Sequence, residues 1–231
     1  MEYILQVKNL LKMYDKKETV LKNVSVNFAR GTFITIVGPS GSGKSTLLNI
    51  ISGLLTPTDG EVIFKGIDIT KYNSEKLAFY RRHNVSHIFQ EYNLLDDLTV
   101  KENILLGMDD KSQRKHLDDL MKDLGIIEFQ DKFPSQLSGG EQQRVSIARA
   151  MIKNPELIFC DEATGALDEK NSKKVVSLLC EIQKKHKTTV IFITHNQEIA
   201  KTSERIITMK NGTISSDYFN NNRIDAEDMK W

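Results

Sequence analysis

One octet constrains the fold of this chain more than any other feature. Gly38-Pro39-Ser40-Gly41-Ser42-Gly43-Lys44-Ser45 fits the spacing G-x-x-x-x-G-K-[ST]. It follows Phe33-Ile34-Thr35-Ile36-Val37, a nearly continuous β-branched run, which predicts a strand covered on both faces. It precedes Thr46-Leu47-Leu48-Asn49-Ile50-Ile51, a helical pattern that stops near Gly53. Strand, glycine-rich loop and helix in that order aim backbone N–H groups and a positive helix end at phosphate oxygens. In such a loop Lys44 reaches the β- and γ-phosphates of a nucleoside triphosphate, and the Ser45 hydroxyl ligates Mg²⁺.

The rest of the pattern is α/β. Ile4-Leu5-Gln6-Val7 is a short apolar run, and Val24, Val26 and Phe28 alternate with polar residues as a half-buried strand does. Glu61 to Gly66 and Val85 to Gln90 read as further strands. Leu157-Ile158-Phe159-Cys160 and Val190-Ile191-Phe192-Ile193 read as buried strands, with an amphipathic helix through Val175, Val176, Leu179 and Ile182 between them. Strands alternating with helices predict a sheet with parallel strands. From about Glu91 to Ile152 the period is mostly helical, with Leu117, Leu120, Met121 and Leu124 on one face. Asn211-Gly212 predicts a hairpin turn, and the polar segment from Asp217 reads as a loose tail on which Trp231 is an apolar outlier.

Composition narrows the function classes. The 231 residues carry 32 Lys+Arg against 31 Asp+Glu, a formal charge of +1 that disfavours a broad nucleic-acid footprint. Mean hydropathy is −0.36, and no apolar run approaches the roughly 20 residues that span a bilayer. Met1-Glu2-Tyr3-Ile4 lacks the basic start and apolar core of a signal peptide, so the expectation is a cytosolic chain. Cys160 and Cys180 sit in apolar runs and form neither a disulfide framework nor a metal-site pattern.

Two more segments carry chemistry. Asp161-Glu162 ends a buried strand, where a carboxylate suits Mg²⁺ coordination beside a phosphate loop. Asp161 is the metal-side candidate, and Glu162 is the candidate for holding or deprotonating an attacking water. Leu137-Ser138-Gly139-Gly140-Glu141-Gln142-Gln143-Arg144 opens a helix with Ser138 as N-cap and two glycines exposing N–H groups. That is a second phosphate-binding device in one chain, and a dimer that shares the two devices accounts for it.

This octet resembles the signature motif of the ATP-binding-cassette ATPases, and the other motifs of that family follow in order along nearly the whole chain. The resemblance implies an α/β P-loop NTPase of ABC type: a mixed sheet core, an antiparallel β subdomain and a helical signature subdomain. It implies one nucleotide-binding domain over residues 1–231, with the helical subdomain at about 91–152 and a polar tail at about 217–231. Tyr14 matches the aromatic that stacks on adenine, Gln90 the Q-loop glutamine, Gly165-Ala166-Leu167-Asp168 the D-loop, and His195 the switch histidine.

Transferred to this sequence, the family's scheme has ATP lying between one copy's Gly38 to Thr46 and a second copy's Ser138, Gly139, Gly140 and Glu141. Ser45 and Gln90 ligate Mg²⁺, with Asp161 acting through bound water. Glu162 polarises the attacking water, Lys44 and His195 hold the γ-phosphate, and Asp168 connects the two sites. The implied partners are a second copy and an integral-membrane permease, with the chain peripheral on the inner face of the cell membrane and no nucleic acid involved. Leu94, Leu95 and Leu98, beside Gln90, are candidates for the permease contact, with a plain core role as the alternative.

Phe89-Gln90-Glu91-Tyr92-Asn93-Leu94-Leu95 and Asp161-Glu162-Ala163-Thr164-Gly165 resemble the subgroup serving lipoprotein release, macrolide export and antimicrobial-peptide resistance. Ala163, where many relatives carry proline, and a short interval from Gln90 to Leu137 depart from it. The implied function is ATP hydrolysis driving export. The alternatives are a membrane-coupled cell-division or sensing ATPase and a soluble cassette acting on ribosomes or nucleic acid.

Overall fold

The computed structural model describes residues 2–15 and 18–230. The chain opens with β1 (Tyr3–Tyr14) and β2 (Glu18–Ala29), followed by β3 (Phe33–Val37), α1 (Lys44–Ile51), β4 (Asp59–Phe64) and β5 (Ile67–Asp68). Next come α2 (Ser74–Asn84), β6 (Val85–Phe89), α3 (Val100–Leu105), α4 (Leu117–Asp123) and α5 (Gly139–Met151). The last third holds β7 (Leu157–Asp161), α6 (Glu169–His186), β8 (Thr189–Thr194), α7 (Gln197–Ala200), β9 (Arg205–Lys210) and β10 (Thr213–Phe219).

Two sheets result. One is antiparallel in the order β2-β1-β4-β5, and the other is six-stranded in the order β10-β9-β3-β8-β7-β6. The strands from β9 to β6 run parallel, and β10 returns antiparallel through Asn211-Gly212. Every residue of β3 and of β8 is buried, as their unbroken apolar runs require. On β8, Ile191 and Ile193 join a core shared with the antiparallel sheet and α1. Val190 and Phe192 join a second core with Val145, Ile147, Val175, Val176 and Leu179 from α5 and α6. The period of two thus divides one strand between two cores.

Register aligns the carboxyl ends of four parallel strands. Val37 pairs with Thr194, Ile193 with Asp161, and Asp161 with Phe89. The segments beginning at Gly38, Glu162, His195 and Gln90 therefore leave the sheet side by side, at the edge where open α/β sheets bind ligands.

The structure departs from the sequence expectations in three places. β1 and β2 each run 12 residues, longer than their alternation indicates, because bulges interrupt the period. Asn9 and Asn23 adopt φ of 50° and 56° there, so the apolar side chains on either side fall out of step. The helical region is broken: three-residue turns at Ile127–Phe129 and Pro134–Gln136 separate short helices. The segment from Asp217 is not loose. Asp217 to Phe219 complete β10, Arg205 clamps Asp217 with two nitrogens, and Ala226 and Met229 are buried in the core beside α6. Trp231 lies outside the described residues. No helix among the described residues is long and apolar enough to cross a membrane.

Candidate active site

The loop after β3 is shaped by close approaches that only glycine permits. A Cβ on Gly38 would lie 2.2 Å from the Met209 carbonyl oxygen and 2.9 Å from Ser42 Oγ. Gly43, at φ 97°, precedes α1, whose N-terminus carries no side-chain cap and no acidic residue in its first turn. The first N–H groups of that helix are thus left to an anion. Lys44 is 8% exposed. Its Nζ donates to the carbonyls of Gly38 (2.8 Å) and Pro39 (3.0 Å), which fold the ammonium back over the loop. Ser42 Oγ is buried with no hydrogen-bond partner, one more polar group facing the loop's interior.

A cavity of about 730 Å³ opens on this loop. Its walls are Ser40, Gly41, Ser42, Gly43, Lys44, Ser45 and Thr46, together with Gln90, Glu162 and His195, and with Glu18 and Val20 from β2. Glu162 follows β7 at φ 51°, a left-handed conformation unusual for a residue with a side chain. Its N–H donates to the Ile193 carbonyl at 3.0 Å, which fixes this turn. One carboxylate oxygen lies 3.1 Å from His195 Nδ1, and the other accepts from the Thr194 hydroxyl at 3.4 Å. The side chain is thereby held in place before any ligand arrives. Gly165 packs on Gln90, since a Cβ there would come 2.9 Å from the Gln90 amide carbon.

Ser45 donates its hydroxyl to Asp161 Oδ1 at 3.2 Å. Burial raises the Asp161 carboxyl above its ordinary range; the neighbouring Glu162 charge adds to this, while the Ser45 hydrogen bond and Lys44 oppose it. Two adjacent, half-buried carboxylates favour a cation nearby. Ser45, Gln90 and Asp161 carry hard oxygen donors of the kind Mg²⁺ takes and are the residues that would hold it, together with phosphate oxygens and waters. Among the described residues no group of three His, Cys, Asp or Glu side chains could hold a metal by itself.

Other expected site residues lie outside this cavity. Tyr14 is exposed, stacks under the Lys12 ammonium (5.1 Å to the ring centre) and pairs across the ladder with Glu18. Ser138 and Glu141 form a capping box: Glu141 N–H donates to Ser138 Oγ (3.4 Å), and Ser138 N–H donates to the Glu141 carboxylate (2.7 Å). That backbone bond, with the Ser138 hydroxyl, holds the Glu141 carboxyl below its ordinary range. Gly139 packs against Tyr92, and Gly140 against Asn171. Asp168 caps α6 by accepting the Asn171 N–H at 2.8 Å. Of the three leucines, Leu94 packs on the helical core, Leu98 is half-buried and Leu95 is 52% exposed.

Glu18 and Val20 had no sequence signal. They reach the cavity through the pairing of β2 with β1 and through Val20's contact with Gly43 (3.1 Å from its carbonyl oxygen to a Cβ placed there).

Comparison with known proteins identifies the family and the fold. Residues 21–165 match the ABC transporter family. A putative ABC transporter ATP-binding protein of Mycoplasma pneumoniae, the MG065 homolog, is 42% identical over all of this chain and 51% of its own length. This chain thus spans about half of that relative. The bacitracin export ATP-binding protein BceA of Halalkalibacterium halodurans is 42% identical, covering 91% of this chain and 87% of BceA. Among solved structures, the dimeric ABC transporter cassette MJ0796, from Methanocaldococcus jannaschii, superimposes with a TM-score of 0.83 at 38% identity, covering 94% of this chain and 99% of the other. A second structure of that cassette, also dimeric, is a post-hydrolysis state bound to ADP and Pi. With the motifs in order, the family matched and the fold shared, the chain belongs to the ABC transporter family and has the architecture of an ATP-binding cassette.

Proposed function

We propose that two copies of this chain bind two ATP molecules between them, hydrolyse them and drive a membrane permease that exports its cargo. The observation that carries the reading is the Glu162 carboxylate, fixed by His195 and Thr194 on the wall of the cavity lined by the phosphate loop. A base poised beside a phosphate cradle suits attack by water on a γ-phosphate.

Each residue has a part. The loop N–H groups and Lys44 hold the phosphates. Ser45, Gln90 and Asp161 are the donors for Mg²⁺, which when bound neutralises phosphate charge. Glu162 polarises the water, and His195 orients Glu162 and meets the γ-phosphate. Tyr14, at the cavity margin next to Glu18, meets the adenine. Ser138, Gly139 and Gly140 lie outside the cavity of their own chain and serve the ATP of the second copy. Asp168, at the start of α6, joins the two sites. Loss of the γ-phosphate removes the contacts that close the pair, giving a ligand-driven two-state switch.

For the permease, exposed Leu95 beside Gln90 is the contact we favour. For the cargo, similarity to BceA supports a peptide antibiotic, with lipid or lipoprotein handling as the broader subgroup reading. Phosphate release by the purified chain tests the core of this reading. It should require Mg²⁺ and rise per chain with protein concentration until dimers saturate. No release at any concentration contradicts it.

A further inference from the structure

Gln143 lies on α5, five residues beyond Ser138, and its side chain is fully buried. Its Nε2 donates to the Ala163 carbonyl at 2.7 Å and to the Phe89 carbonyl at 3.4 Å. Ala163 follows Glu162, and Phe89 precedes Gln90. One amide group therefore ties the signature helix to the backbone on which both Glu162 and Gln90 stand. Its Oε1 is buried without a partner. A flipped amide would turn that oxygen toward two carbonyl oxygens, so the carbonyls themselves fix its orientation.

The same helix grips the Gln90 segment a second time. Arg149 donates to the carbonyls of Tyr92 (2.9 Å) and Asn93 (2.5 Å). Gly165, packed on the Gln90 side chain, joins the two loops directly. Among the described residues, Gln143 is the side chain of α5 that hydrogen-bonds to both loops.

We propose that Gln143 is a positioning residue: it sets the Gln90 and Glu162 loops in hydrolytic geometry according to the position of α5, whose N-terminus carries Ser138, Gly139 and Gly140. The proposal rests on the ATPase reading above. It links what meets the signature end of a copy to the readiness of that copy's own cavity. A buried amide satisfied on one side only suits this role, because its two donated bonds are strong in a dry setting and cannot be replaced by water.

The test compares Gln143→Leu, Gln143→Glu and Ser146→Ala in the full chain. Ser146 is a buried residue of the same helix with no hydrogen bond from its hydroxyl, so its variant reports packing alone. Gln143→Leu should lower kcat about tenfold while the Kd for ATP stays within about threefold, since the phosphate loop is untouched. Gln143→Glu should be slow at pH 8 and regain activity relative to wild type toward pH 6. Burial raises the introduced carboxyl's pKa, and only its protonated form can donate to one of the two carbonyls. Wild-type kcat in Gln143→Leu overturns the proposal, as does an equal loss in Ser146→Ala or a wild-type pH profile in Gln143→Glu.

Amide hydrogen exchange without nucleotide separates this proposal from the ATPase reading. Gln143→Leu should speed exchange in both segments 90–93 and 162–165, and unchanged exchange in both overturns the clamp. If the wild-type chain releases no phosphate, the ATPase reading fails and exchange alone decides on Gln143.

Discussion

Helix α1, which follows Gly43, and helix α5, which opens on Gly139 and Gly140, both have glycine at their start, yet their ends are finished differently. At the start of α1 no side chain caps the helix, and the surrounding groups form a cavity of about 730 Å³. At the start of α5 Ser138 and Glu141 cap each other, and none of Ser138 to Glu141 lines that cavity. The first end is open and its reacting groups are assembled. The second is internally satisfied at its third residue, so only the N–H groups of Gly139 and Gly140 fall outside the capping box. In the proposed function the first end binds the triphosphate of its own chain, and the second meets the triphosphate that another copy brings to it.

The largest effect should come from breaking the chemistry of the open end while leaving the capped one intact. Glu162→Gln should lower kcat by about 10²–10³-fold with ATP binding retained, and should accumulate an ATP-bound dimer visible by size-exclusion. Unchanged turnover would remove Glu162 from the role of base.

Glycine replacement sharpens the contrast in rigidity. Gly38→Ala places a methyl 2.2 Å from a backbone carbonyl oxygen that cannot yield, and should cost about 2–3 kcal/mol in denaturant melts. The tight contact of Gly139→Ala is with the Tyr92 hydroxyl, at 2.6 Å, the far end of a side chain that can swing away, and Leu167 Cδ2 at 3.5 Å is an ordinary contact. It should change stability by about 0.5 kcal/mol or less, helped by the better helix propensity of alanine. Equal losses would mean that the two ends are built alike. Lys44→Ala should weaken ATP binding about tenfold to thirtyfold, the worth of one charge-assisted hydrogen bond. A nucleotide titration showing no change would contradict the assignment of the open end.

One further effect belongs to neither end. His87 on β6 lies between the rings of Phe89 and Phe159, and neither ring nitrogen has a hydrogen-bond partner. Burial, helped by the charges of Lys153 and Arg81, pushes its pKa down to about 4. The unfolded chain binds this proton below about pH 6.5, before the native one does, so stability rises with pH between these values and is lost as pH falls. By pH 5.5 the loss should be about 1 kcal/mol, and His87→Leu should flatten the slope. An unchanged slope would place the acid sensitivity elsewhere.

Much of this was legible in the sequence wherever local pattern and tertiary role coincide. The unbroken apolar runs of β3 and β8 identified the central strands because burial on both faces leaves no alternation to misread. The phosphate loop, Glu162 and His195 were legible because strand ends carry them to one edge of a parallel sheet. Glu18 and Val20 were not, since their place at the cavity depends on hairpin pairing that bulges obscure. Helix α2 went unread because Tyr80 is its only buried residue, leaving the Asn73 cap, Glu75 in the first turn and the Arg81-Arg82-His83 end as its signals. The order of the last residues was hidden because two isolated buried side chains, Ala226 and Met229, anchor an otherwise polar stretch.

In the proposed function, a working site is assembled from the open end of one copy and the capped end of another. Mixing two inactive variants tests it most directly. Lys44→Ala disables the open end and keeps the capped one; Ser138→Arg keeps nucleotide binding but blocks the capped end. Each alone should release little phosphate. Mixed with ATP and Mg²⁺, they should form pairs with one intact composite site, and hydrolysis should return. No recovery at any ratio, or wild-type hydrolysis by Ser138→Arg alone, would contradict the shared site.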